Sequence, residues 1–72
     1  MNEQEKLRQF GKNIAKYRKT KKLTQNQLAE ILEVTREHLA KVETAKRGIS
    51  INLIFNLSET LDISEKALFD FK

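Results

Sequence analysis

Seventy-two residues with no cysteine and no proline make one domain, residues 1–72, whose small core is held without disulfides or thiolate metal sites. The net charge of +4 conceals a gradient: residues 1–22 hold eight Lys/Arg against two Glu, residues 23–48 four against four, and residues 49–72 two Lys against four acids. A basic first third suits either a polyanion partner or a solvated helix face; no apolar run approaches the ~18 residues of a membrane span, and the charged start "MNEQEKLRQ" is no signal peptide, so a soluble cytoplasmic protein is expected.

Helical spacing dominates the chain. Leu7, Phe10, Ile14 and Tyr17 recur at three, four and three residues and predict a first helix over about 5–21. The run "KYRKTKK" falls on its polar side and carboxyl end, where cations also suit the helix dipole.

The next four starts share one phrase: an apolar residue, a hydroxyl, and an apolar residue four places further on. It occurs at Leu23/Thr24/Leu28, Val34/Thr35/Leu39, Ile49/Ser50/Ile54 and Ile63/Ser64/Leu68. The hydroxyl at N-cap accepts from an orphaned backbone N–H, and the two apolar residues clasp across it as a hydrophobic staple. Gln27, three residues after Thr24, completes a capping box. Helices are thus predicted over 25–32, 36–45, 51–61 and 65–70, an all-α, five-helix unit with short gaps and no linker. The predicted core is Leu7, Phe10, Ile14, Tyr17, Leu28, Ala29, Leu32, Leu39, Val42, Ile54, Leu57, Leu61 and Leu68.

Helices two and three are joined by so few residues that they must cross steeply, with small Ala29 allowing the close approach. The second helix of such a pair projects from the body, and its width fits the major groove. The stretch "QNQLAEILEVTREHLAKVE" resembles the helix-turn-helix of the Cro and phage-repressor class, through Gln25, Leu28, Ala29, Val34, Thr35, Leu39, Val42 and Glu43. "FGKNIAKYRK" is similar to the first helix of that lambda-repressor-like family, and "INLIFNLSETLDISEKALF" to its fourth and fifth. The resemblance covers roughly residues 7 to 69. Departures fall in turns. Lys22, Glu33, Ala45 and Asp62 stand at usual glycine places, and Ile49 at a usual proline place. Ala45 suggests that helix three runs on until Gly48 can end it.

The resemblance implies a phosphate contact at Gln25, where backbone N–H groups and the helix dipole favour an anion in any case. It also implies base or phosphate contacts at Thr35, Arg36, Glu37, Ala40 and Lys41. Arg36 can offer two parallel donors to guanine, and Ala40 a methyl to thymine; Lys41 suits phosphate or guanine. Glu37 either accepts from cytosine N4 or simply favours the helix amino terminus. His38, the one histidine, reads as exposed or phosphate-contacting, since partners for catalysis or a metal are lacking. Lys46 and Arg47 can reach the flanking backbone or minor groove, and Lys16, Lys19 and Lys21 add to the basic footprint. Arg18 and Glu43, often paired in the family, are expected to form a partly buried ion pair.

The expected function is sequence-specific binding of double-stranded DNA as a dimeric repressor, without enzymatic activity, cofactor or metal. Two copies on a two-fold axis would read half-sites about 34 Å apart. The dimer surface is expected in the acidic carboxyl-terminal third, at Phe55, Ile63, Phe69 and Phe71, unless these finish the monomer's core. The alternative is an antitoxin or bridging module that binds a protein partner, such as a toxin, with the same fold; Glu30, Glu33 and Glu37 around the reading helix keep it open.

Overall fold

The computed structural model describes residues 1–71. They form α1 (Glu3–Thr20), α2 (Gln25–Leu32), α3 (Arg36–Glu43), α4 (Ile51–Leu61) and α5 (Glu65–Leu68), with no strand among the described residues.

Three of the four hydroxyl starts are capped as their chemistry predicts. Thr24 Oγ1 accepts from the Gln27 N–H at 3.1 Å while Gln27 Oε1 accepts from the Thr24 N–H at 2.9 Å, a complete capping box. Thr35 Oγ1 accepts from His38 N–H at 3.0 Å, and Ser50 Oγ from Leu53 N–H at 3.2 Å. Ser64 makes no such bond. The short α5 that follows it ends at Leu68, not residue 70, because buried Asn13 captures the chain there: its Nδ2 donates to the carbonyls of Leu68 and Asp70, each at 2.9 Å. A fourth side-chain cap lies outside the sequence pattern. Asn2 Oδ1 accepts from Glu5 N–H at 2.8 Å and the Glu5 carboxylate from Asn2 N–H at 3.3 Å, so α1 begins two residues earlier than its apolar spacing indicates.

The four places where the family resemblance expects glycine all have left-handed backbone: Lys22 (φ 59°), Glu33 (59°), Ala45 (62°) and Asp62 (56°). After each, the next N–H bonds back to the carbonyl five residues earlier: Leu23 to Arg18, Val34 to Ala29, Lys46 to Lys41 and Ile63 to Ser58, at 2.8–3.1 Å. These bonds satisfy the last carbonyls of α1 to α4 in the same way. The expectation that helix three continues to Gly48 is therefore corrected: α3 stops at Glu43 and Ala45 makes the turn, its methyl buried and its carbonyl held by Gln4 Nε2 at 3.2 Å.

The core joins Phe10, Ile14, Leu28, Ala29, Leu32, Leu39, Val42, Leu57, Leu61 and Leu68, all expected, with Leu53 added. Ile54 is only half-buried, because α4 turns Leu53, Leu57 and Leu61 inward at a spacing of four and leaves Ile54 to the side. Leu7 and Tyr17 are half-buried as well. The staple residues Leu23, Val34, Ile49 and Ile63 pack on the core's rim. At Gly11, α1 touches the backbone of α3: an added Cβ would overlap the Glu43 carbonyl oxygen and lie 2.8 Å from that of Val42.

Candidate nucleic-acid interface

α3 has an inner and an outer side, and its periodicity assigns residues to each. Leu39 and Val42 enter the core, and Glu43 is buried beside them. The Glu43 carboxylate takes two bonds from Arg18, Nε at 2.8 Å and Nη2 at 3.2 Å, and a third from Gln25 Nε2 at 2.9 Å. Arg18 Nη1 also donates to the Leu23 carbonyl at 2.9 Å. One guanidinium thus ties α1, the turn before α2, and the end of α3. The expected ion pair is present, with the side chains 10% and 4% exposed. A buried charge pair requires this kind of fork-to-fork geometry, with further bonds to the atoms left over.

On the outer side, Arg36, Glu37, Ala40, Lys41, Thr44 and Lys46 line one open depression of about 360 Å³. All but Thr44 are sequence-expected contact residues. Three are cationic and one is acidic, so the depression favours an anion's approach. A larger depression of about 530 Å³ between α4 and α5 is lined by Ser58, Glu59, Asp62, Ile63, Ser64 and Glu65, and its three carboxylates repel phosphate. Thr44 is the member that the sequence pattern does not reach. Its place one turn after Ala40 is the available signal, and its Oγ1 donates to the Ala40 carbonyl at 2.8 Å.

The other expected residues sit at the margin. Thr35 is exposed at the cap, its oxygen already accepting from His38 N–H. His38 is half-buried on the flank of α3, and Arg47 is exposed in the bend beyond Lys46. Gln25 opens α2, half-buried, with one amide N–H engaged by Glu43 and the second still available for an anion. Among the described residues no three metal-capable side chains cluster, and no helix is long and apolar enough to cross a membrane.

Comparison with known proteins shows the family and the fold. The helix-turn-helix family model matches residues 14–68. Over 55 residues the chain is 38% identical to YqaE of Bacillus subtilis, an uncharacterized HTH-type transcriptional regulator, covering 76% of this chain and 47% of that protein. Over 53 residues it is 40% identical to an uncharacterized HTH-type transcriptional regulator of Rickettsia conorii, covering 74% and 42%. The chain spans just under half the length of these curated relatives. The crystal structure of the restriction-modification controller protein C.AhdI from Aeromonas hydrophila superposes with a TM-score of 0.82 at 33% identity, covering 88% of this chain and 96% of that one.

Proposed function

Because this chain belongs to the helix-turn-helix family of DNA-binding transcriptional regulators, we propose that residues 1–72 act as one domain of a dimeric, sequence-specific repressor that occupies its operator with α3 in the major groove. The observation that carries this reading is the outer side of α3, where Arg36, Glu37, Ala40, Lys41 and Lys46 converge on one open, mainly cationic depression. Arg36, in the first turn, reads guanine through two parallel donors, and Glu37 accepts from cytosine N4. Ala40 leaves room for a thymine methyl. Lys41, Lys46 and Arg47 hold phosphates, as do His38 and the free N–H of Gln25, while Thr35 fixes the start of the helix. Phosphate contacts of this kind set register without reading sequence.

One reading helix covers too few base pairs to single out a site, so two copies act on half-sites about one DNA turn apart. The dimer surface proposed in the carboxyl-terminal third needs redrawing in one respect. Ile63 and Phe71 pack against the core and largely finish the monomer, whereas Phe69, though its ring centroid lies 4.9 Å from that of Phe10, stays 47% exposed at the edge of this surface. Phe55 remains 48% exposed, and Ile51, one turn earlier on α4, 65% exposed. These two residues form the apolar centre of the proposed interface.

The comparisons do not favour the alternative of an antitoxin or bridging module, since the relatives are described as transcriptional regulators and a controller protein. Selection of bound duplexes from a random pool tests the proposal. A recurring two-fold symmetric sequence is expected; enrichment of no sequence at physiological salt rejects a specific regulator. Sedimentation of Phe55→Glu should show a monomer where the parent protein is a dimer.

A further inference from the structure

α1 carries a second charged surface that the reading of α3 does not use. At 100° per residue, Arg8, Lys12, Lys16 and Lys19 fall within about a quarter-turn of one another. All four are exposed, on the side of α1 turned away from Phe10 and Ile14. Each follows the last by three or four residues, about 5–6 Å along the axis. Among the described residues none of the four has a carboxylate within 4.0 Å, the two ion pairs present being Arg18–Glu43 and Lys21–Asp62. Glu5 falls on the same face one turn before Arg8, and its carboxylate is engaged by the Asn2 N–H in the cap of α1. Lys16 rests its ammonium 5.2 Å from the Tyr17 ring centre, which orients the charge without neutralising it.

Helix stability does not account for this arrangement. Like charges three or four residues apart weaken a helix by about 0.2–0.5 kcal/mol a pair, and three such pairs run in series. Net charge for solubility could be placed anywhere on the surface and interleaved with acids, as it is in residues 23–48. A row of unpaired cations is at its most favourable against a polyanion whose charges repeat more finely than its own. Duplex DNA, with one charge per ~1.7 Å of axis, meets that condition at every position. The row also leads along the chain to Lys21, Lys22 and the start of α2, where Gln25 stands.

We propose that the outward face of α1, at Arg8, Lys12, Lys16 and Lys19, is a second, sequence-independent binding surface for duplex DNA, outside the segment read by α3. The inference rests on the DNA-binding reading above and extends it. The face increases occupancy by holding neighbouring DNA without contributing to base preference.

The test compares the parent protein with the quadruple variant Arg8→Gln, Lys12→Gln, Lys16→Gln and Lys19→Gln on a mixed-sequence duplex across a salt series. Glutamine is a good helix former, and the three like-charge pairs removed offset the lost Lys16–Tyr17 contact and the Lys19 charge at the helix end, so helicity should stay close to that of the parent. The slope of log affinity against log salt should flatten by about 0.9 for each phosphate that the variant no longer neutralises, and low-salt affinity should fall roughly tenfold or more. Base preference, measured against the pool-selected duplex, should not move. An unchanged slope and affinity would overturn the proposal and leave the face merely solvated or matched to an acidic protein. If that happens while Arg36→Ala still shifts base preference, the α3 reading stands alone; a parent protein that binds no duplex rejects both.

Discussion

The inner and outer sides of α3 are built from similar residue types under opposite constraints. Inside, Glu43 meets Arg18 and Gln25, and the α3 backbone lies against Gly11, so each group has a fixed partner. Outside, Arg36, Glu37 and Lys41 face solvent, and no ion pair holds them among the described residues. An arginine and a glutamate are structural on one side and free to recognise a ligand on the other. Burial and pairing, rather than residue identity, decide which role a charge plays. Substitutions on the two sides should therefore separate stability from binding.

The largest effect is expected at Arg18. Arg18→Ala leaves Glu43 buried with Gln25 as its remaining side-chain partner and should cost about 3–5 kcal/mol in denaturant unfolding. The double variant Arg18→Met with Glu43→Leu should recover most of that loss, because an apolar pair of similar volume removes both desolvation penalties. A single variant as stable as the parent would show that the inner side is no more constrained than the outer.

Gly11→Ala should follow, at about 1–3 kcal/mol, since the new methyl meets backbone that no rotamer change can move. α1 and α3 would have to separate, taking the Arg18–Glu43 geometry with them. On the opposite side, Arg36→Ala should leave unfolding within about 0.5 kcal/mol of the parent. It should instead relax preference at one base pair by about 1–3 kcal/mol, whereas Lys46→Ala should weaken all duplexes alike. A parallel loss of stability and binding in Arg36→Ala would erase the distinction between the sides.

Much of this division is legible in the chain because its signals are local. A hydroxyl flanked by a staple marks Thr24, Thr35 and Ser50 as caps within five residues of sequence, and α2 to α4 begin where those signals stand. The outward set on α3 follows from helical period once Leu39 and Val42 are placed inward. What is not legible depends on which helix lies opposite. Asn13 reads as a polar surface residue until the carbonyls of Leu68 and Asp70 are brought to it. Gly11 reads as a weak point in α1 until Glu43 comes against it. Leu53 and Ile54 are equivalent by composition, and only the rotation of α4 chooses between them. Asn2 escapes for another reason: its capping box precedes a polar run with no apolar residue to align it.

The turn between α2 and α3 joins the two regimes, and Glu33 tests it. Its side chain is exposed and its backbone has φ 59°, a conformation that disfavours any residue with a Cβ by about 1 kcal/mol. Glu33→Gly should relieve that strain and, after the extra freedom glycine adds to the unfolded chain, stabilise by about 0.5 kcal/mol. Ala45→Gly should gain less than Glu33→Gly, because the methyl it removes is buried. Equal gains at both positions would mean that burial of Ala45 contributes nothing.

The smallest effect lies away from α3 and supplies a control for charge effects in general. Glu65 is held below the ordinary carboxylate range, first by the hydrogen bond from Ser58 Oγ at 2.7 Å and then by its own backbone N–H. A carboxylate with a depressed folded-state pKa binds its proton less readily than in the unfolded chain. Its contribution to stability is therefore complete above the unfolded value, near ~4.3, and disappears as pH falls through the lower folded value. Ser58→Ala removes the leading cause, so the Glu65 titration followed by NMR should move up toward the ordinary value. That acid-side increment of stability should shrink while DNA binding at neutral pH stays as it was. An unmoved titration would transfer the depression to the backbone bond alone. A loss of binding would mean that α4 and α5 influence the outer side of α3, contrary to the separation drawn between recognition and support.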